Sequence, residues 1–377
     1  MALEVRPVRS RRDLMRFIKL PFRLYKGQPN WVPPLIYERK RHLNRDKNPF
    51  FDHAEAEYFL AWRDGRPVGR ISAHIDRRLN DVQDNDWGLF GFFECEDDQD
   101  AADALLNAAE DWNRERGRDR IVGPFDFSTN HECGLLVEGY ELKPQVLEFW
   151  HHPYYQGLLE QHGLAKAMDL YKWHLDVSDR EKILPVIFEL SEKVESEHGV
   201  VVRNMRKKDF QDEVRRFMEV YNSAWEKNWG FVPLTEDELE DYAKQLKPLL
   251  DERWAWIAEK DGQTVGAALT LLDWNEVLID MNGRLFPIGW FKFLTGRKKI
   301  RHVRVFALGV KPEYQHTGVA ARFYVEHFDQ AARGLVKSGE MGWILEVNRA
   351  MNRGMEAMGG QIVKRYRLYE KLLRDAQ

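Results

Sequence analysis

Apolar and polar positions along this chain run through the same succession of patterns twice. Tyr58-Phe59-Leu60-Ala61-Trp62 and Pro67-Val68-Gly69 flank a polar turn that contains Asp64-Gly65. Trp254-Ala255-Trp256-Ile257-Ala258 and Thr264-Val265-Gly266 flank one that contains Asp261-Gly262. A Gly-bearing turn between two apolar runs predicts a β-hairpin in each half. Three further pairs keep the same order: Val5-Arg6-Pro7-Val8-Arg9 with Val202-Arg203-Asn204-Met205-Arg206, Asn30-Trp31-Val32-Pro33 with Asn228-Trp229-Gly230-Phe231-Val232-Pro233, and Tyr171-Lys172-Trp173 with Tyr366-Arg367-Leu368-Tyr369. Several ordered matches about 197 residues apart indicate a duplicated domain. Each half reads as strand, helix, hairpin, strand, helix, strand, helix, strand. That order predicts an α+β fold of two tandem domains, each a mixed, largely antiparallel sheet flanked by helices. The expected division is 1–178 and 200–377, with a connecting helix across 179–199.

The second half carries a pattern that the first lacks. Val303 to Val310 is an apolar run that predicts a buried strand. A Pro-containing turn follows, then Gln315-His316-Thr317-Gly318-Val319-Ala320, then a helical pattern from about Ala320 to Val336. The first N–H groups of a helix have no internal partner, and the macrodipole adds positive potential there. Gly318 and Ala320 leave that backbone open to close approach, so the N–H groups from His316 to Ala320 are a candidate pyrophosphate site. The matching stretch of the first half, Phe93-Glu94-Cys95-Glu96-Asp97-Asp98-Gln99-Asp100, is acidic and would repel a phosphate.

The second half resembles the GNAT acyltransferase superfamily. Its phosphate loop, Gln/Arg-x-x-Gly-x-Gly/Ala after the fourth strand, is matched by Gln315–Ala320, and its next strand and helix by Trp343–Asn348 and Arg349–Met358. The first half joins through the internal repeat. The whole chain is also similar to tandem-GNAT bacterial proteins, among them the GNAT-type bacterial ceramide synthases, which acylate a sphingoid amine. The resemblance implies an acyl-CoA co-substrate, acetyl or long-chain, held between the fourth and fifth strands of the second half. It implies no metal, and direct attack of an amine on the thioester. Backbone groups at Leu308, Gly309 and Val310 would then hold the pantetheine arm, with Asn348 and Asn352 near the cofactor. Many members place a Tyr four residues before the Gly that ends the helix, to protonate the leaving thiolate. Here that position is Met355, and Tyr366 or Tyr369 would have to substitute.

Composition narrows the picture. At 377 residues, 44% hydrophobic and 31% charged, the chain has the make-up of a globular protein of about two domains. A net charge of -4 argues against nucleic acid as a partner. Cys95 and Cys133 have no metal-ligand spacing and suit a reducing compartment. The N-terminal stretch lacks a secretory h-region, and no apolar run approaches the roughly 20 residues of a membrane span. The expected location is cytoplasmic, with the inner membrane face as an extension of that reading. From Met281 to Pro312 there is no Asp or Glu. Within it, Arg284–Arg301 combines aromatic residues with a basic cluster, the composition of a peripheral membrane contact. The alternative is a buried insertion whose basic part serves the CoA phosphates.

Candidate chemistry falls in three places. Glu346, at the end of the fifth strand, is a carboxylate placed to take a proton from an amine, or a helix-capping or solvated group. Asn222, Trp225, Asn228 and Phe231 mix aromatics with amides in a helix and loop suited to an amphiphilic acceptor; the alternative is core. Asn130, His131, Glu132 and Cys133 crowd polar groups into the loop of Gly123–Gly134. His131 and Glu132 form a candidate acid–base pair, whereas a Cys133 nucleophile is disfavoured. The charged stretches Ile183–His198 and Glu236–Lys247 read as solvated helix faces. The functional expectation is N-acyl transfer from acyl-CoA to a hydrophobic or lipid amine, in the manner of a ceramide synthase. The first half would be a degenerate copy shaping the acceptor channel. An acetyltransferase of a small amine or peptide, or a non-catalytic CoA-binding module, are the alternatives. Oligomeric state stays open.

Overall fold

Both expected hairpins form, and both turn through left-handed Asp-Gly pairs (Asp64 φ 52, Gly65 φ 76; Asp261 φ 50, Gly262 φ 78). Two successive positive φ angles match the right-handed twist of the flanking strands. The computed structural model describes residues 3–287, 289–334 and 336–373. Its strands are β1 (Leu3–Pro7), β2 (Ala54–Arg63), β3 (Arg66–Asp76), β4 (Trp87–Cys95), β5 (Arg120–Gly123), β6 (Leu135–Glu138) and β7 (Ala165–Asp176) in the first half. The second half contributes β8 (Val201–Asn204), β9 (Ala255–Lys260), β10 (Gln263–Leu272), β11 (His302–Val310), β12 (Ser338–Leu345) and β13 (Gln361–Leu372).

Among the described residues these strands form one mixed sheet in the order β1-β2-β3-β4-β5-β13-β7-β12-β11-β10-β9-β8, with β6 also paired to β13. The order at the middle is informative. The last strand of the second half, β13, lies between β5 and β7 of the first, and β7 lies between β13 and β12. Each half thus lends its final strand to the other. Only β4–β5 and β11–β12 are parallel among the described pairs.

The expected strand at Val303–Val310 is β11. The helix expected from about Ala320 to Val336 runs Val319–Ala332. The strand read as Trp343–Asn348 starts earlier, at Ser338, and stops at Leu345. Gly339 and Glu340 interrupt the apolar run and hid its start, while Asn348 ends it by capping the next helix, its Oδ1 accepting the Met351 N–H (3.1 Å).

A group of buried charges lies at the seam. Lys172 on β7 and Lys364 on β13 are directly opposite each other, an unfavourable like-charge pair. Glu148, from the loop before β7, ion-pairs with Lys172 and lies 3.8 Å from Lys364 and 3.5 Å from Arg304 on β11. Glu340 on β12 pairs with Lys364 at 2.7 Å. Burial alone would raise the Glu148 carboxyl, but the three cations outweigh it and hold it at about 2. Burial pushes Lys172 down to about 8. Arg304 also donates to the carbonyls of Val146 (2.6 Å) and Leu147 (2.7 Å), tying a first-half loop to a second-half strand.

Candidate active site

Strands β11 and β12 pair only from His302↔Ser338 to Val305↔Met341. Beyond that, β11 stays with β10 as far as Val310, and β12 stays with β7 as far as Leu345. Each follows a different neighbour, so they part, and the backbone of Phe306–Val310 faces a cleft. A register break between Leu269 and Thr270 leaves Phe306 as the extra residue of β11 at the start of the split. Trp225 packs against the opened strand at Gly309, where a Cβ would lie 2.3 Å from the indole. Gly309 is therefore what admits Trp225.

Beyond β11, residues Pro312–Thr317 make 3₁₀ turns that end at Gly318 (φ 81). Gly318 is the N-cap of the Val319–Ala332 helix, and no side chain caps the helix start. Its first N–H groups and dipole are available to an anion. Gln315 and His316 are exposed beside them, and Gln315 donates to the Val310 carbonyl (3.3 Å). Split strands and an open helix start border one cavity of about 1030 Å³.

The opposite wall is polar and comes largely from the first half. The Ile36–His42 helix presents Glu38, Arg41 and His42 to the cavity. Glu38 and His42 are four residues apart and share a face. The His42 ring is 4.8 Å from that of His131, and His131 Nδ1 is 3.1 Å from Ser128 Oγ. Burial lowers His131 to about 4 and His42 well below its ordinary value, so both are neutral imidazoles at pH 7. Burial, with Glu132 nearby, outweighs Arg39 and raises Glu38 to about 7. Arg39 Nε lies 3.0 Å from Glu38, and its guanidinium pairs with Glu132 and with Asp126 (3.2 Å). The Arg39 charge overcomes burial and keeps Glu132 below the usual carboxylate range.

No protein-family model matches the chain. The fold is similar to that of a tandem GNAT protein from the clavulanic acid biosynthesis pathway, at TM-score 0.57 with 12% identity over all of both chains. A GNAT protein from Sphaerobacter thermophilus aligns at TM-score 0.53 and 14% identity, over 100% of this chain and 97% of that one. In sequence, the chain is 41% identical over 380 residues to a protein named bacterial ceramide synthase, from Caulobacter vibrioides (strain NA1000 / CB15N), covering 98% of each. The chain belongs to the tandem GNAT N-acyltransferases. Protein YghO of Escherichia coli (strain K12) is 38% identical over 97% of this chain and 95% of its own.

In this acyltransferase, Leu308, Gly309, Val310, Gln315, His316, Gly318, Ala320 and Asn348 border the cavity on the side of β11 and the helix start. Trp225, Asn228, Phe231, Asn130, His131 and Glu132 border it elsewhere. Thr317 and Val319 are buried behind the loop, where the Thr317 hydroxyl donates to the Tyr314 carbonyl (2.6 Å). Asn352 braces the end of β12, accepting from Trp173 Nε1 (2.9 Å) and donating to the Leu345 carbonyl (3.1 Å). Asn222 is outside the cavity lining. So is Glu346, whose carboxylate binds Lys166 (2.7 Å) and the Asp169 N–H (3.1 Å). Tyr366 is fully buried, donating to the Phe149 carbonyl (2.9 Å). Neither of these two lines the cavity. Asn130 is a clip as much as a wall: it accepts from Tyr221 and Tyr242 (both 2.6 Å) and donates to the Val232 carbonyl (3.0 Å).

Three contributors escaped the sequence reading. The Glu236–Leu246 helix is not simply a solvated face, because Glu238, Asp241, Tyr242 and Gln245 line the cavity. Glu38 and His42 carried a signal in their four-residue spacing. The third is Tyr324. Met355, where a Tyr is common, is fully buried in the core. The Tyr324 hydroxyl reaches the same turn from the neighbouring helix, 3.8 Å from Met351 Sδ, and Tyr324 lines the cavity. Among the described residues no group of His, Cys, Asp and Glu could hold a metal ion.

Proposed function

We propose that this N-acyltransferase moves an acyl group from acyl-CoA to the primary amine of a hydrophobic or lipid acceptor, a ceramide-synthase-like reaction. One observation carries the reading. A single cavity of about 1030 Å³ is bordered at one side by the split strands and open helix start, and at the other by a polar wall from the first half. That volume is at the upper end of what small ligands fill. The name of the 41%-identical relative supports the choice of a sphingoid-type acceptor. We take the reaction to occur in the cytoplasm, at the inner membrane face.

In this reading the pyrophosphate binds at the N–H groups that follow Gly318, and the pantetheine arm runs along Leu308–Val310. Glu38, ionised above about pH 7, attracts the acceptor ammonium, which sheds one proton to solvent and so frees its lone pair. His131, uncharged at that pH, receives a second proton as the free amine nitrogen attacks the thioester carbon. The resulting oxyanion faces backbone N–H groups of the opened β11 edge, each worth a few kcal/mol in a dry site. Collapse breaks the C–S bond, and the thiolate takes a proton from Tyr324. Burial raises the Tyr324 hydroxyl, which keeps its proton until a strong base forms beside it. The products are an amide and free CoA, and the proton held by His131 returns through solvent to the Tyr324 phenolate.

His131→Ala and Tyr324→Phe are each expected to lower kcat by about 10²-fold or more while leaving acyl-CoA affinity within a few-fold. Glu38→Gln should instead raise KM for the amine and flatten its pH dependence. In the wild type, KM for the amine rises as pH falls through about 7, because protonation removes the Glu38 charge.

The acceptor reading is tested by thiol release with acetyl-CoA and with palmitoyl-CoA, each with and without sphinganine. Amine-dependent release with palmitoyl-CoA alone is expected. Turnover of acetyl-CoA with soluble amines would replace the lipid acceptor with a small one, which the acidic groups Glu38, Glu238 and Asp241 on the wall would also suit. No release with any pair would favour a module that binds CoA without turnover.

A further inference from the structure

The helix Gly289–Gly296 is apolar on both of its sides, yet only one side is covered. Phe293 faces inward and stacks on Trp274 with ring centroids 4.3 Å apart. Trp290, Phe291 and Leu294 face outward and are 45%, 57% and 67% exposed, and Phe286 just before the helix is 72% exposed. Lys292 and Thr295 are the exposed polar residues of this helix, and the apolar stripe beside them is left without a covering surface. Single exposed apolar residues are ordinary; four within nine positions form a patch that marks an interaction site.

The surrounding charge selects the partner. Arg284, Lys298 and Lys299 are exposed and carry no ion pair among the described residues, and no acidic residue occurs from Met281 to Pro312. This positive field belongs to a protein whose net charge is -4, so it is a local arrangement. Aromatic side chains at the level of a headgroup layer, rimmed by unpaired cations, match the chemistry of an anionic bilayer surface.

Position adds to the case. Ile36 donates its N–H to the Gly283 carbonyl (3.0 Å), joining this segment to the start of the Ile36–His42 helix. Tyr37, the next residue, is 72% exposed, while Glu38, Arg41 and His42 of the same helix line the cavity. One short helix thus separates the patch from the polar wall.

We infer that the segment Arg284–Lys299 docks this protein on an anionic lipid bilayer, with Phe286, Trp290, Phe291 and Leu294 inserted among the headgroups and Arg284, Lys298 and Lys299 against lipid phosphates. The inference stands apart from the proposed chemistry, because docking is read without turnover.

The test is flotation of the full chain with vesicles of phosphatidylcholine alone, or of phosphatidylcholine and phosphatidylglycerol in equal parts. Wild type is expected to float with the anionic vesicles only, less so at high salt. The double variant Phe291→Asp/Leu294→Asp should bind at least about ten-fold more weakly. Lys298→Gln/Lys299→Gln should bind about 25-fold more weakly, roughly five-fold per basic residue. These side chains are exposed, so the variants should keep the wild-type circular dichroism and melting temperature. Absence of vesicle binding, equal binding to neutral vesicles, or unchanged binding in both variants would overturn the inference. So would a wild-type dimer that Phe291→Asp/Leu294→Asp converts to monomer without any vesicle binding, which would assign the patch to a second copy of the chain.

Discussion

Replacing Gly318 with valine is expected to weaken CoA binding by about 10²- to 10⁴-fold. Gly318 has φ 81, and a Cβ there would come within 2.7 Å of the Leu190 carbonyl oxygen on the Pro185–Ser196 helix. A β-branched side chain meets both penalties, the left-handed backbone and the clash with a backbone atom that cannot swing away. The turn must then shift, carrying the N–H groups that follow it out of aim. Losing two charge-assisted hydrogen bonds to phosphate, at about 1.5–3 kcal/mol each, gives the stated range. Titration calorimetry with CoA reads the effect directly, with the melting temperature as a check on folding. Gly318→Ala, which keeps the backbone strain but adds less bulk, should fall between. Native CoA affinity in the valine variant would mean that the phosphates bind elsewhere.

The second large effect is on stability. Glu148→Ala should destabilise the fold by about 3–5 kcal/mol, the usual result of breaking a buried ion pair from one side. It leaves Lys172, Lys364 and Arg304 with Glu340, 2.7 Å from Lys364, and the more distant Asp273 as buried carboxylates near them. Because the folded protein holds Glu148 at about 2, its ionisation stabilises the wild type fully above the ordinary carboxylate value of 4.5. That contribution is lost as pH falls from there towards 2. Urea unfolding of Glu148→Gln at several pH values should therefore show a shallower acid decline than wild type. An equally steep decline would mean that other carboxylates govern acid unfolding.

Much of this was legible in the chain, and the reason is locality. The Asp-Gly turns, the apolar run of β11 and the Gln315–Ala320 loop are each written within about a dozen consecutive residues, where turn chemistry and periodicity act. What escaped involves partners far apart in sequence. Glu346 looked free at a strand end, but its cation, Lys166, is on the other half's terminal strand. Tyr366 looked available, yet the exchange of strands carries it into the core. Glu38 and His42 sit on a short charged helix that in isolation reads as surface. They become part of a cavity wall only because the other half folds against them. Tyr324 could not be nominated without knowing which neighbouring helix shares its turn.

The lending of terminal strands also bears on how the molecule is made. β13 is synthesised after the other described strands, and it belongs in the interior of the sheet, between β5 and β7. Tandem domains usually fold in order as the ribosome delivers them. Here the first half emerges with an open slot where its neighbour should be, and the 12 residues that fill the slot follow all the other described strands. Completion of the sheet is thereby deferred until β13 has been made, and a nascent chain that has not reached it exposes unpaired strand edges that chaperones or proteases would meet first.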